Sequence, residues 1–145
     1  MKYFSIEELV RSDTARLNGI DNTPSKEIVS NLNTLVNCCL DLLREAYGKP
    51  IRVNSGFRCP ELNKAVGGAT SSSHMKGQAA DITAGSKIEN QKLWNLIVER
   101  GIPFTKMISE QNFSWIHISY NKDNLAKKKM LGIKEEGKWK YISID

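Results

Sequence analysis

Histidine is nearly absent from this 145-residue sequence: there are two, at positions 74 and 117. Chemistry built on imidazole therefore has two addresses. Cysteine is almost as scarce, with Cys38, Cys39 and Cys59 and no Cys-x-x-Cys pair. That leaves no thiolate-rich structural zinc cluster and no even disulfide framework. Cys38 and Cys39 fall in an apolar helical pattern and are expected to pack as small hydrophobes; a reducing compartment of synthesis fits. No apolar run approaches the roughly 20 residues of a membrane span, so membrane insertion is not expected. The opening residues, MKYFSIEELVRSD, lack a basic start leading into an apolar core. No secretory signal is visible there, which points to synthesis in the cytoplasm. No nucleic-acid reading motif and no aromatic-rich basic stripe is present, so nucleic acid is not an expected partner.

Acidic residues are outnumbered, 16 against 21 Lys and Arg, for a formal charge of +5. Much of the excess is late, in Lys127, Lys128, Lys129, Lys134, Lys138 and Lys140. A solvated basic surface accounts for it; attraction to an anionic polymer is the sharper reading. Charge alone selects no partner, and nothing in the sequence speaks to oligomeric state.

The length suits a single domain over residues 1–145. Ser5 and Glu8 form a capping-box pair opening a short helix, followed by a turn-rich segment from Gly19 to Pro24. From Ser25 to about Tyr47, Ile28, Leu32, Leu35, Val36, Cys39, Leu42, Leu43 and Ala46 follow the 3.6-residue period of one buried stripe. Gly48 and Pro50 stop that helix. Residues 50–54 read as a strand, 60–66 as a short helix, 67–73 as a loop and 78–83 as a strand. A helix over 87–100 is closed by Gly101. Strands are expected at 105–110 and 115–120, and a further hairpin turns at Glu136-Gly137. Helices come early and neighbouring strands late, which predicts an α+β fold: a central, mainly antiparallel sheet flanked by helices.

If 115–120 is a strand, Trp115, His117 and Ser119 share one face, and Ile116, Ile118 and Tyr120 the other. The apolar set would face the core, leaving His117 to look across the sheet toward a cleft. A lone histidine, whether in a strand or in a loop such as the one carrying His74, is most often only a hydrogen-bonded side chain. The joint pattern in SSSHMKGQAAD changes that. Gly77 permits a turn that a Cβ would resist, Ala79 and Ala80 leave room for close approach, and His74 and Asp81 flank the turn. With His117 they make two imidazoles and one carboxylate. Three such ligands suit a catalytic zinc with a fourth position open, whereas structural zinc is usually closed by four ligands.

Ser72-x-His74-x-x-Gly77-x-Ala79-x-Asp81, followed by Trp115-x-His117-x-Ser119, resembles the zinc D-alanyl-D-alanine carboxypeptidase family. Relatives of that family include phage endolysin peptidases and the zinc-binding fold of the hedgehog signalling domain. Asn54-Ser55-Gly56-Phe57-Arg58 is similar to its Ser-Gly-Tyr-Arg segment, with Phe for Tyr, and Leu62-Asn63-x-Ala65-Val66-Gly67-Gly68 to its continuation. Upstream, Phe4, Glu8, Ser12, Ala15 and Gly19-Ile20-Asp21-Asn22-x-Pro24 look like the lead-in of a bacterial and phage subgroup. The likeness runs from about residue 4 to 120; the basic tail, about 122–145, matches no motif.

The resemblance implies one Zn2+ at the sheet surface, held by His74, Asp81 and His117. It implies that Arg58 faces the substrate, with Ser72 and Trp115 as neighbouring substrate-binding residues. Several relatives carry an acidic residue three positions before the last histidine ligand, but Ser114 stands there and is too weak a base. Glu110, which the subgroup places at the end of the preceding strand, is the expected general base. The assignment depends on register: if Glu110 pairs with Trp115 it shares a face with His117, and a one-residue slip reverses it.

The implied activity is zinc-dependent hydrolysis of amide bonds in peptidoglycan stem peptides. A D-Ala-D-Ala-type carboxypeptidase or endopeptidase is favoured, acting on the cell wall in remodelling or after phage-type release. An L-alanyl-D-glutamate endopeptidase, and a non-catalytic zinc-containing wall-binding or structural module, are the alternatives.

Overall fold

A computed structural model describes residues 1–144. Two short helices open it, α1 (Ile6–Val10) and α2 (Asp13–Leu17), capped by the hydroxyls of Ser5 and Ser12, which accept from the Glu8 and Ala15 amides. The second of these was not expected from the sequence. The long amphipathic segment follows as α3 (Lys26–Leu35), a π-helical turn over Val36–Leu40 and α4 (Asp41–Tyr47), closed by left-handed Gly48. The π turn admits one extra residue, which rotates the stripe beyond it. Leu40 is accordingly fully buried, whereas Leu42, expected in the stripe, is 47% exposed. Cys39 is buried and Cys38 packs against the core.

Six strands form one sheet: β1 (Arg52–Ser55), β2 (Ala79–Thr83), β3 (Lys106–Glu110), β4 (Trp115–Ser119), β5 (Lys128–Glu135) and β6 (Lys138–Ile144). Their order is β1-β2-β4-β3-β5-β6, antiparallel throughout except for the parallel β3–β5 pair. The remaining helices are α5 (Pro60–Ala65) and α6 (Lys87–Glu99). The chain is α+β, as the order of its elements predicts.

One face of the sheet, with Val53, Ala80, Ile82, Met107, Ile116 and Ile118, joins Leu32, Leu35, Leu43, Leu93 and Ile97 of the helices in the core. Eleven large side chains there are less than 2% exposed, a close-packed layer that holds the sheet rigid. The opposite face carries Asp81, Ile108, Glu110, Trp115 and His117, which line a cleft. Alternation along each strand thus converts the apolar requirement on one side into a polar cleft on the other.

The basic tail is part of this architecture. Its hairpin turns at Glu136 and Gly137, both with positive φ (51° and 78°), the pairing a two-residue primed turn demands. Strand β5 then extends the sheet in parallel beside β3.

Candidate metal centre and its cleft

His74 does not lie in an irregular loop. It sits in a 3-10 turn, Ser73–Lys76, whose first amides are met by Ser72: the Ser72 hydroxyl accepts from the His74 N–H at 3.2 Å. Gly77 ends that turn at φ +69°, and a Cβ there would stand 2.9 Å from the Ile28 carbonyl oxygen. Glycine is therefore required twice over, by dihedral and by space.

The His74 ring is fixed from behind. Its Nδ1 lies 2.7 Å from the Gly56 carbonyl oxygen, so Nδ1 carries the proton and Nε2 is left as the ligand atom. Gly56 reaches this position because it has no side chain: a Cβ would overlap the Leu9 carbonyl, 3.0 Å from its carbon. The next amide, Phe57 N–H, donates to that same Leu9 oxygen at 2.8 Å, and Arg58 N–H donates to His74 O at 3.1 Å. Asn22 ties the segment down, donating to Val10 O and Phe57 O (2.9 and 3.0 Å) and accepting from Cys59 N–H (2.7 Å). The Ser-Gly-Phe-Arg stretch is thus a brace that orients one imidazole and one guanidinium together.

Asp81 and His117 are direct partners in the β2–β4 ladder. Asp81 Oδ1 is 3.1 Å from His117 Nδ1 and 3.3 Å from His74 Nε2. The three ligand atoms all lie within 4.8 Å of one another. Burial would raise the Asp81 carboxyl, but the two imidazoles beside it outweigh that and hold it well below the usual carboxylate range. Two imidazole nitrogens, one ionised carboxylate oxygen and a carbonyl behind one ring fit a four-coordinate zinc with one position open to the cleft.

The cleft is about 450 Å³ and is lined by Arg58, Ser72, Glu110, Trp115 and the three candidate ligands, among others. Glu110 pairs with Trp115, and Ile108 with His117. This is the register in which Glu110 shares the His117 face. Glu110 is 6% exposed and one carboxylate oxygen, Oε2, has no hydrogen-bond partner. Burial, reinforced by the Asp81 charge, pushes it up to about 7, against a smaller opposing pull from His117. A carboxylate so placed can exchange a proton near neutral pH.

Arg58 is desolvated enough to lower its pKa, with Asp81 opposing. Its Nε is buried without a partner, and Nη2 makes a single long contact, 3.5 Å, to the Ser72 hydroxyl. Donors left this free are available to an anionic ligand. Ser114 is elsewhere: its hydroxyl donates to Gln111 O at 2.7 Å inside the β3–β4 turn.

Sequence reasoning missed two supports. The β3–β4 turn runs through Gln111, Asn112 and Phe113, all with positive φ (47°, 53° and 63°). That conformation costs about 1–2 kcal/mol per residue without glycine. Fully buried Asn90 holds it, donating to Phe113 O and Ser114 O (2.8 and 3.2 Å) while accepting from Ala84 N–H at the end of β2 (2.6 Å). Asparagine on a helix otherwise read as apolar packing was the one available signal. The second support is the tail hairpin, which brings Met130, Trp139 and Tyr141 to the cleft; no motif marked them.

The family described as Peptidase M15 matches residues 2–119. A 49-residue stretch is 55% identical to the zinc D-Ala-D-Ala carboxypeptidase of Streptomyces albus G, covering 33% of this chain and 19% of that protein. The match thus spans about a fifth of the relative's length. The chain belongs to the Peptidase M15 family.

Proposed function

We propose that this M15 chain is a zinc-dependent peptidase that hydrolyses amide bonds in peptidoglycan stem peptides, at a D-Ala-D-Ala-type bond. The observation that carries the reading is the convergence of His74, Asp81 and His117 at the floor of a cleft that also holds Glu110 and Arg58. A relative named for zinc and for D-Ala-D-Ala supports the metal and the substrate class.

His74 Nε2, Asp81 Oδ1 and His117 Nδ1 would hold the ion. Zinc at such a site would supply Lewis acidity to the attacking water and to the scissile carbonyl. Glu110 takes a proton from that water as oxygen bonds to the carbonyl carbon. It then delivers the proton to the departing nitrogen as the C–N bond breaks, leaving a carboxylic acid and an amine. Arg58, with donors free in the cleft, stabilises the negative charge developing on the carbonyl oxygen or holds a terminal carboxylate. Ser72 orients Arg58 and caps the turn bearing His74. Trp115 forms part of the substrate wall. The site of action that follows is the cell wall, where the basic surface suits anionic polymers.

Digestion of purified muropeptides by zinc-loaded and chelated protein, with products identified by mass spectrometry, tests this reading. Loss of a terminal D-Ala, or scission of a D,D cross-link, by the loaded protein alone is the expected result. Scission between L-Ala and D-Glu would replace the bond assignment. Wall binding with no scission would replace the enzyme by a recognition module.

A further inference from the structure

The tail hairpin lies beyond the residues matched to the family, 2–119, yet it forms one side of the cleft. Four residues stand in a row across four strands: Trp115 pairs with Glu110, Glu110 with Gly132, and Gly132 with Tyr141. Gly132 is itself buried although β6 is exposed along its length, because the Glu110 carboxylate and the Tyr141 ring lie over it. A Cβ on Gly132 would stand 3.1 Å from Glu110 Cδ and 3.0 Å from Tyr141 Cε1, and would overlap Glu110 Oε2.

Glycine inside a strand ordinarily weakens it, so its presence calls for a reason of space or dihedral. Dihedral is not the reason, since Gly132 is absent from the seven glycines with positive φ. Space is. With Oε2 making no hydrogen bond, the carboxylate is located by the shape of its surroundings rather than by a donor. Tyr141 supplies the far wall; burial, then Glu110 and Asp81, raise its own pKa, as expected of a ring shared between them.

We propose that Gly132 is the positioning residue for Glu110, and that the β5–β6 hairpin is thereby a working part of the cleft. This rests on the role given to Glu110 above. The side chain missing at 132 is the seat over which the carboxylate lies, in the cleft that His117 also lines. Alanine at 132 is compatible with the backbone; its Cβ strikes the far end of the Glu110 side chain hardest and crowds the Tyr141 ring, both side chains rather than backbone. The substitution therefore moves the carboxylate and leaves the strand in place.

Two measurements on the full chain test it. Crystal structures of wild type and Gly132→Ala should differ in the Glu110 carboxylate, with His74, Asp81, His117 and strand β5 superimposing. Steady-state kinetics on a stem peptide should give a fall in kcat of roughly tenfold to a hundredfold with KM little changed, the scale of an ångström misplacement. Gly132→Ala added to Glu110→Gln should cause no further fall, because the positioned group no longer moves a proton. A Glu110 carboxylate unmoved while β5 shifts, or an equal fall in both backgrounds, would overturn the proposal. If wild type cleaves no stem peptide, the functional reading fails, and the two crystal structures alone decide whether Gly132 seats Glu110.

Discussion

Glu110 and His117 look into one cleft from adjacent strands, because Glu110 pairs with Trp115 two residues before the histidine. Neither residue is unusual alone. The ladder makes them a pair: a carboxylate with a near-neutral pKa diagonal to an imidazole that shares its inner contact with Asp81.

Metal binding is expected to depend on all three candidate ligands. Wild type is expected to bind one zinc per chain by elemental analysis, and His117→Ala or Asp81→Ala to lose it at equal free zinc. Chelation should lower the melting temperature of wild type but not of the variants. Ligand present at a hundred times its dissociation constant contributes about 2.7 kcal/mol to stability. Equal melting temperatures of loaded and chelated wild type would remove the site.

Acid–base linkage at Glu110 has a definite sign. Its pKa is raised from 4.5 to about 7 by burial and by Asp81, so the metal-free fold favours the protonated form. The stabilisation that follows is complete below about pH 4.5 and is lost as pH rises through about 7. Metal-free Glu110→Gln, neutral at every pH, should gain in melting temperature over wild type between pH 5 and 8. A gap that does not change with pH would mean the carboxyl is not buried as described.

Gly56 is where fold and site meet. Gly56→Ala drives a Cβ into the Leu9 carbonyl and shifts the carbonyl that holds His74 Nδ1. Overpacking against backbone predicts a loss of about 1–3 kcal/mol in denaturant unfolding, together with weaker zinc binding. Unchanged zinc affinity would show that the carbonyl does not orient the ring.

Arg58→Lys keeps the charge but not the planar fork. Turnover should fall with zinc content and melting temperature unchanged, and Arg58→Ala should fall further. Equal activity in wild type and the lysine variant would mean that a point charge suffices.

Much of this is legible in the sequence. The face shared by Trp115, His117 and Ser119 follows from strand alternation, and Ile116 and Ile118 are fully buried opposite it. Local signals also marked the caps at Ser5 and Gly48. What escaped were effects of non-local geometry. The π turn at 36–40 buries Leu40 and exposes Leu42, a choice that helical periodicity alone gets backwards. The parallel β3–β5 pairing, which brings Gly132 beside Glu110, is decided by a partner strand rather than by anything in the tail. Asn90 carries little local sign of its role, because the carbonyls it holds in the β3–β4 turn, Phe113 O and Ser114 O, are more than twenty residues away.

The most direct measurement compares zinc content and turnover of wild type and Glu110→Gln on the same purified muropeptide. One zinc per chain in both proteins, with turnover in the glutamine variant lower by on the order of 10²–10⁴, is the predicted result. Full turnover in Glu110→Gln with zinc still bound would contradict the account.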